Sequence, residues 1–270
     1  MLVSYHVHSR WSDGKEEIAD FVSAASELGL DEIGFSDHYV LSPSGKLESW
    51  SMPLDQIGNY VEAVRSAMGK AGDGPVIRLG VEADYFPETA DGLYDVLAIY
   101  PFDYVIGAVH RLDGFPIDDK AEDWEPLTQK ERDDIVRRYW IRMREMAESR
   151  LFDIAAHLDL TKKFGVWPSI DLTEEITLAL NAVARAGMSF EVNTSGWFKP
   201  CEEQYPSVQI IQACLEREIP VVISSDAHCP EHLGRSFDAA KGLLCDLGCT
   251  QLVAYSGRIR CSYGLPVDGR

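Results

Sequence analysis

Short apolar runs alternate with longer amphipathic stretches along nearly the whole of this 270-residue chain. Runs at 2–7, 32–36, 76–81, 104–109, 152–156, 189–192 and 220–224 read as strands, with a last short one at 251–255. Stretches at about 15–29, 55–70, 128–149, 171 or 173 to 187, 206–217 and 235–247 read as helices. The longest opens on Thr128 with Glu131 three residues later, a capping-box spacing. Repeated strand–helix units predict a parallel sheet covered by helices, and seven or eight of them closing on themselves give a TIM-like barrel, possibly distorted. No Pro-, Gly- or Ser-rich linker, low-complexity tract or internal repeat divides the sequence, so a single α/β domain over 1–270 is expected. The connections 39–53, 111–127 and 194–205 are long enough to be lids or binding walls.

The histidines follow the same rhythm. Of seven, His6, His8, His38, His110, His157 and His228 each fall at or just past the end of an expected strand; His232 is the seventh. In a β/α barrel those ends meet on one face, where active sites are built. One histidine near a strand end is ordinarily a hydrogen-bonded structural residue, but six at equivalent positions point to metal ligation. His6 and His8 lie two apart and share one face of a strand, and Asp226 and His228 repeat that spacing. Asp37 and His38 are adjacent and diverge, which favours His38 as the ligand. Glu82 ends the run VIRLGV, where a buried carboxylate is costly unless it is paired or metal-bound. Asp13, in the turn SDG, is by spacing alone either a turn residue or a ligand. Nine candidates (His6, His8, Asp13, His38, Glu82, His110, His157, Asp226 and His228) exceed the needs of one ion and predict two or three. Nitrogen and oxygen donors without thiolate suit Zn, Mn or Fe.

Charge narrows the function. Lys+Arg number 25 against 44 Asp+Glu, a net charge of −19. Such a surface repels phosphate backbones and anionic lipid, so neither nucleic acid nor a membrane is an expected partner. No apolar run reaches the ~20 residues of a membrane span, and the first residues lack a signal-peptide apolar core. Six cysteines without a CxxC pair suit a reducing cytoplasm.

The segments HVHSRWSDG (6–14), FSDH (35–38), GVEADY (80–85), GAVHRLDGFPID (107–118), AAHLDLTKKFG (155–165), EVNTSGWFKP (191–200) and SSDAHCPEHLGRSF (224–237) occur in an order that resembles the polymerase-and-histidinol-phosphatase (PHP) superfamily. The nearest resemblance is to its histidinol phosphatases. The resemblance implies a distorted (β/α)7 barrel with a trinuclear centre. His6, His8, Glu82 and Asp226 would hold the first metal; Glu82, His110 and His157 the second; Asp13, His38 and His228 the third. Glu82 would bridge the first two. The chain departs from the pattern at Phe198, where NTSG is ordinarily followed, one residue on, by Arg. A guanidinium there would fork onto a phosphate; Lys163, Lys199 and Arg235 are the candidates to supply that charge here.

The expected reaction is hydrolysis of a small phosphorylated substrate, L-histidinol phosphate first, with Glu82, Asp226 and His228 as the catalytic candidates. Lys163, Lys199, Arg235 and His38 are the candidates for holding substrate. Asp113, Asp118 and Asp119 could meet an ammonium, and Trp50, Trp124, Trp197 and Phe198 could stack on an imidazole or simply pack a lid. Rival readings are a PHP phosphoesterase for another small mono- or diester, and a metal-binding protein without catalysis.

Overall fold

The computed structural model describes residues 1–265 except 71 and 73, so residues 266–270 of the expected domain lie outside the described residues. Seven strands, β1 (Val3–Ser4), β2 (Glu32–Phe35), β3 (Val76–Asp84), β4 (Tyr104–Ala108), β5 (Ile154–Ala155), β6 (Ser189–Asn193) and β7 (Val221–Ser224), pair in that order. Each ladder between neighbours is parallel. A bridge from Val7 to Ala227 nearly closes the ring, with His8 N–H donating to the Ala227 carbonyl at 2.9 Å. Each strand is followed by a helix: α1 (Ile18–Glu27), α2 (Ile57–Met68), α3 (Ala90–Ile99), α4 (Gln129–Ser149), α5 (Thr173–Ala186), α6 (Val208–Leu215) and α7 (Phe237–Asp246). The result is the distorted TIM-like α/β barrel expected from the alternation, in one domain. No helix among the described residues is long and apolar enough to cross a membrane.

The strands are apolar on both faces because one packs against helices and the other fills the barrel. β4 is buried throughout. The Tyr104 side chain lies across the barrel interior, its hydroxyl donating to the Tyr5 carbonyl at 2.6 Å and the Phe35 carbonyl at 3.2 Å. Gly34 and Gly80 make that possible: a Cβ on either would come within 2.3 or 2.2 Å of the Tyr104 ring or hydroxyl. Helix α4 has the expected capping box, with Glu131 reaching back to the Thr128 N–H at 2.8 Å. Gly187 ends α5 in the left-handed region at φ 75°.

Three expectations need correction. The connection 82–103 contains α3, which the periodicity hid: Tyr94 and Ile99 are apolar yet 60% and 69% exposed, and Gly92 interrupts the pattern. The strand at 251–255 is not an eighth parallel member; Gln251–Ser256 pairs antiparallel with Ile259–Gly264. That hairpin covers the N-terminal end of the barrel, where the Tyr255 hydroxyl donates to the Asp153 carbonyl at 3.0 Å and Tyr255 N–H donates to the Tyr5 hydroxyl. β3 also runs past its expected end, so Glu82 lies within the strand and Asp84 at its terminus.

Candidate metal centre and active-site cavity

All nine expected ligands meet at the C-terminal mouth of the barrel. His6 and His8 follow β1, His38 follows β2, Glu82 lies in β3, and His110, His157 and the Asp226–His228 pair follow β4, β5 and β7. Four overlapping groups bring their ligand atoms within 4.8 Å of one another: His8, Asp13, His38 and His228; His6, His8 and Asp226; His6, Glu82 and His157; and His38, Glu82 and His110. Asp13, which spacing left open, belongs to the first. Its turn is tight, since a Cβ on Gly14 would come within 2.0 Å of the His8 carbonyl oxygen. Asp37 stays out of the centre, as expected, and accepts hydrogen bonds from the backbone and hydroxyls of Ser9 and Ser12 that shape this turn.

Glu82 sits at the middle with no solvent exposure. Its Oε1 faces His157 Nε2 at 3.1 Å and His110 Nε2 at 3.6 Å. Its Oε2 faces His38 Nδ1 at 2.8 Å, His6 Nε2 at 3.2 Å and His8 Nε2 at 3.6 Å. Each oxygen therefore has its own set of imidazoles, the division a bridging carboxylate needs. His6 Nε2, His8 Nε2, His38 Nδ1 and Glu82 Oε2 are buried without a hydrogen-bond partner. An orphaned buried donor or acceptor ordinarily costs about 1–3 kcal/mol, and several together need a common partner. The separations fit a cation: ligands about 2.0 Å from a tetrahedral ion lie roughly 3.3 Å from one another, and His8 Nε2 stands 3.2 Å from Asp226 Oδ1.

The electrostatics agree. Burial works against the charged form of Glu82, but His6, His38 and His110 outweigh it and hold the carboxyl well below its usual range. Asp226 is held low against the same penalty, chiefly by His6 and His8. Burial, with His38 and His228 beside it, pushes His8 down to about 3, which leaves its lone pair free. Two of the nine hold strained backbone, His157 at φ 21° and Asp226 at φ 51°, the kind of conformation that surrounding structure must enforce.

Two carboxylates that the sequence reading passed over orient these ligands. Glu191 in β6 bonds His6 Nδ1 at 2.6 Å and accepts the His157 backbone N–H at 3.0 Å; Ser224 donates to it as well. Asp84 bonds His110 Nδ1 at 2.7 Å. A carboxylate on Nδ1 fixes the tautomer and aims Nε2 at the centre. Both were findable: Glu191 is an acid inside an apolar strand, like Glu82, and Asp84 lies two residues from Glu82 on the same strand face.

A cavity of about 410 Å³ opens over the ligands. Lys163, Lys199, Arg235 and His38, the expected substrate-holding residues, all line it, as do Lys15, Trp50, Asp118 and Asp119. Lys163 Nζ is tied to Asp118 Oδ2 at 3.0 Å. Lys162 points the other way and is buried between Asp159 and Glu203. Arg111 bridges Glu48 and Asp119, joining two of the long connections. Of the acids proposed for an ammonium, Asp113 does not reach the cavity; it pairs with Arg138 and Arg142. Of the loop aromatics, Trp50 lines the wall, edge-on to His38 and His110. Trp124 is buried in the core with its indole N–H on the Ile117 carbonyl, Trp197 packs against the core, and Phe198 lies 52% exposed beneath Arg235.

A model of the PHP domain matches residues 4–195. The chain belongs to the PHP domain family. A Deinococcus radiodurans protein named "Probable histidinol-phosphatase" is 35% identical over 230 residues, 85% of this chain and 86% of the relative. The histidinol-phosphatase of Lactococcus lactis is 24% identical over 262 residues, 94% of each chain. The crystal structure of the lactococcal histidinol phosphate phosphatase, complexed with zinc, L-histidinol and phosphate, superposes with a TM-score of 0.83 at 22% identity, covering 96% of this chain and 98% of that one. This PHP chain therefore shares its whole barrel with that enzyme.

Proposed function

We propose that this PHP protein hydrolyses L-histidinol phosphate to L-histidinol and inorganic phosphate, with two or three divalent ions, Zn, Mn or Fe, held by His6, His8, Asp13, His38, Glu82, His110, His157, Asp226 and His228. The observation that carries the reading is the convergence of orphaned buried ligand atoms on the two oxygens of Glu82, in a chain 35% identical to a named histidinol-phosphatase. Divalent ions there supply Lewis-acid stabilisation of phosphoryl charge and lower the pKa of a water nucleophile.

The chain's own residues do the rest. Glu191 and Asp84 keep the Nε2 atoms of His6 and His110 turned inward. Arg235, Lys199 and Lys163 hold the non-reacting phosphoryl oxygens from the cavity wall. Asp226 and His228, on the cavity side of the ligand set, are the groups placed to move a proton toward the departing alcohol. Trp50 offers an aromatic wall to an imidazole, and Asp118 and Asp119 offer carboxylates to an ammonium. The fold, the family and the ligand types favour a small phosphomonoester over nucleic acid, which the charge of −19 repels. The free state of all six cysteines fits a reducing cytoplasm. The described barrel supports one catalytic domain over the chain.

The test is phosphate release from histidinol phosphate against a panel of other small mono- and diesters. Preference for histidinol phosphate by at least tenfold in kcat/KM is expected. A better ester in the panel would move the substrate while keeping the chemistry, and no release from any ester by metal-loaded protein would overturn the reading.

A further inference from the structure

The chain's departure from the family pattern at Phe198 is met by a contact made across the fold. The Arg235 guanidinium carbon lies 3.7 Å from the centre of the Phe198 ring, within cation–π distance. Arg235 lines the cavity, whereas Phe198 stands behind it, outside the lining. The same short turn after β6, Thr194–Phe198, grips Arg235 twice: Thr194 Oγ1 donates to the Arg235 carbonyl at 2.7 Å, and Phe198 underlies the side chain.

Arg235 is also conspicuous for what it lacks. In a chain with 44 acidic residues against 25 basic ones, it forms no ion pair among the described residues, and Asp226 is the carboxylate within electrostatic reach of it. Its Nε is buried without a hydrogen-bond partner. Lys199, on the same wall, likewise has no ion pair among the described residues, while Lys163 is held by Asp118. A cation kept free of carboxylates and braced on an aromatic face is preorganised for an anion from outside.

We propose that Phe198 is a positioning residue: its ring braces Arg235 as the anion-holding guanidinium of the cavity. The brace is built from an aromatic face in the loop after β6 and a cation in the loop after β7. Phe198 does not touch the substrate; it acts through Arg235, and its effect falls on binding of the phosphoryl group. This inference rests on the phosphomonoesterase reading, so the test includes phosphate binding as well as turnover.

The experiment compares F198L, F198W, R235A and the F198L/R235A double variant with the parent, each zinc-loaded. It measures calorimetric affinity for inorganic phosphate and steady-state KM and kcat on histidinol phosphate. A cation–π contact of ordinary strength is worth about 2- to 30-fold in affinity. F198L should weaken phosphate binding and raise KM within that range, with a smaller change in kcat. F198W should restore both, and the double variant should be no weaker than R235A. Phosphate affinity unchanged in F198L, or a double variant weaker than R235A by the full F198L factor, would overturn the brace. So would parent protein that binds no phosphate. Weakened phosphate binding in F198L without turnover of any ester would uphold the brace and overturn the reaction alone. Phe198 is half exposed, so F198L is expected to fold, and F198W separates loss of the aromatic face from loss of bulk.

Discussion

The two ends of the barrel are made from the same strands and solve opposite problems. At the N-terminal end, Val3, Tyr5, Tyr104, Ile106, Ile154, Val222, Val253 and Tyr255 form a closed apolar cluster beneath the terminal hairpin. The tyrosine hydroxyls of that cluster find partners within the protein, as those of Tyr104 and Tyr255 do, and Ser4 Oγ beside it is a single buried atom left without one. At the C-terminal mouth, buried imidazoles and carboxylates crowd together with several atoms unpartnered. The first end comes close to satisfying itself. The second gathers unpartnered ligand atoms close enough to share a cation, which marks it as the candidate site. Stability and function are therefore separable along the barrel axis, as is general for this architecture.

The largest expected effect is at the mouth. Glu82→Gln removes the charge shared by both halves of the ligand set, and kcat/KM should fall by about 10³-fold or more. Elemental analysis should show fewer bound ions while circular dichroism remains that of the parent. Retained metal and activity would break the comparison at its centre. Next is Glu191→Gln, which leaves the ligands in place but loosens the aim of His6. A drop of about 10- to 100-fold in metal affinity or activity is expected, read by titrating metal into stripped protein.

The other end should answer in a different quantity. Tyr104→Phe strips the hydroxyl from the Tyr5 and Phe35 carbonyls and should cost about 1–3 kcal/mol of stability. For a chain this long that lowers Tm by roughly 2–10 °C, with kcat and metal content unchanged. A matching loss of activity would show the two ends to be coupled. The smallest effect is in pH. Burial, and then the charge of Lys163, hold Lys199 below the ordinary lysine range. Raising the pH removes its proton and with it an attraction for phosphoryl oxygens. KM should therefore climb, by less than about tenfold, at a lower pH than an ordinary lysine would give. Lys199→Met should flatten that alkaline rise.

What the sequence revealed divides along the same line. Strand–helix rhythm revealed the barrel because each strand is a short, mainly apolar run set between amphipathic stretches, and the six histidines marked the mouth because they all fall at or just past strand ends. Helix α3 escaped because two of its exposed residues, Tyr94 and Ile99, are apolar. The terminal hairpin escaped because Ile259–Gly264 is largely exposed and polar. The residues that converge at the mouth were legible, whereas Glu191 and Asp84, which bond the Nδ1 atoms of His6 and His110 there, fit the strand pattern without marking themselves. The fate of the cations was not legible. Lys162 and Lys163 are adjacent, yet one is buried among carboxylates and the other lines the cavity. Arg235 finds its ring on a different loop, a pairing that only the closed barrel creates.

The most direct test of the central claim is to strip the protein with chelator and titrate zinc, manganese or ferrous iron back while following phosphate release from histidinol phosphate. Activity should be absent without metal and rise to a plateau at two to three equivalents per chain. Turnover that survives in verified metal-free protein, or a full metal load that hydrolyses no phosphate ester, would contradict it.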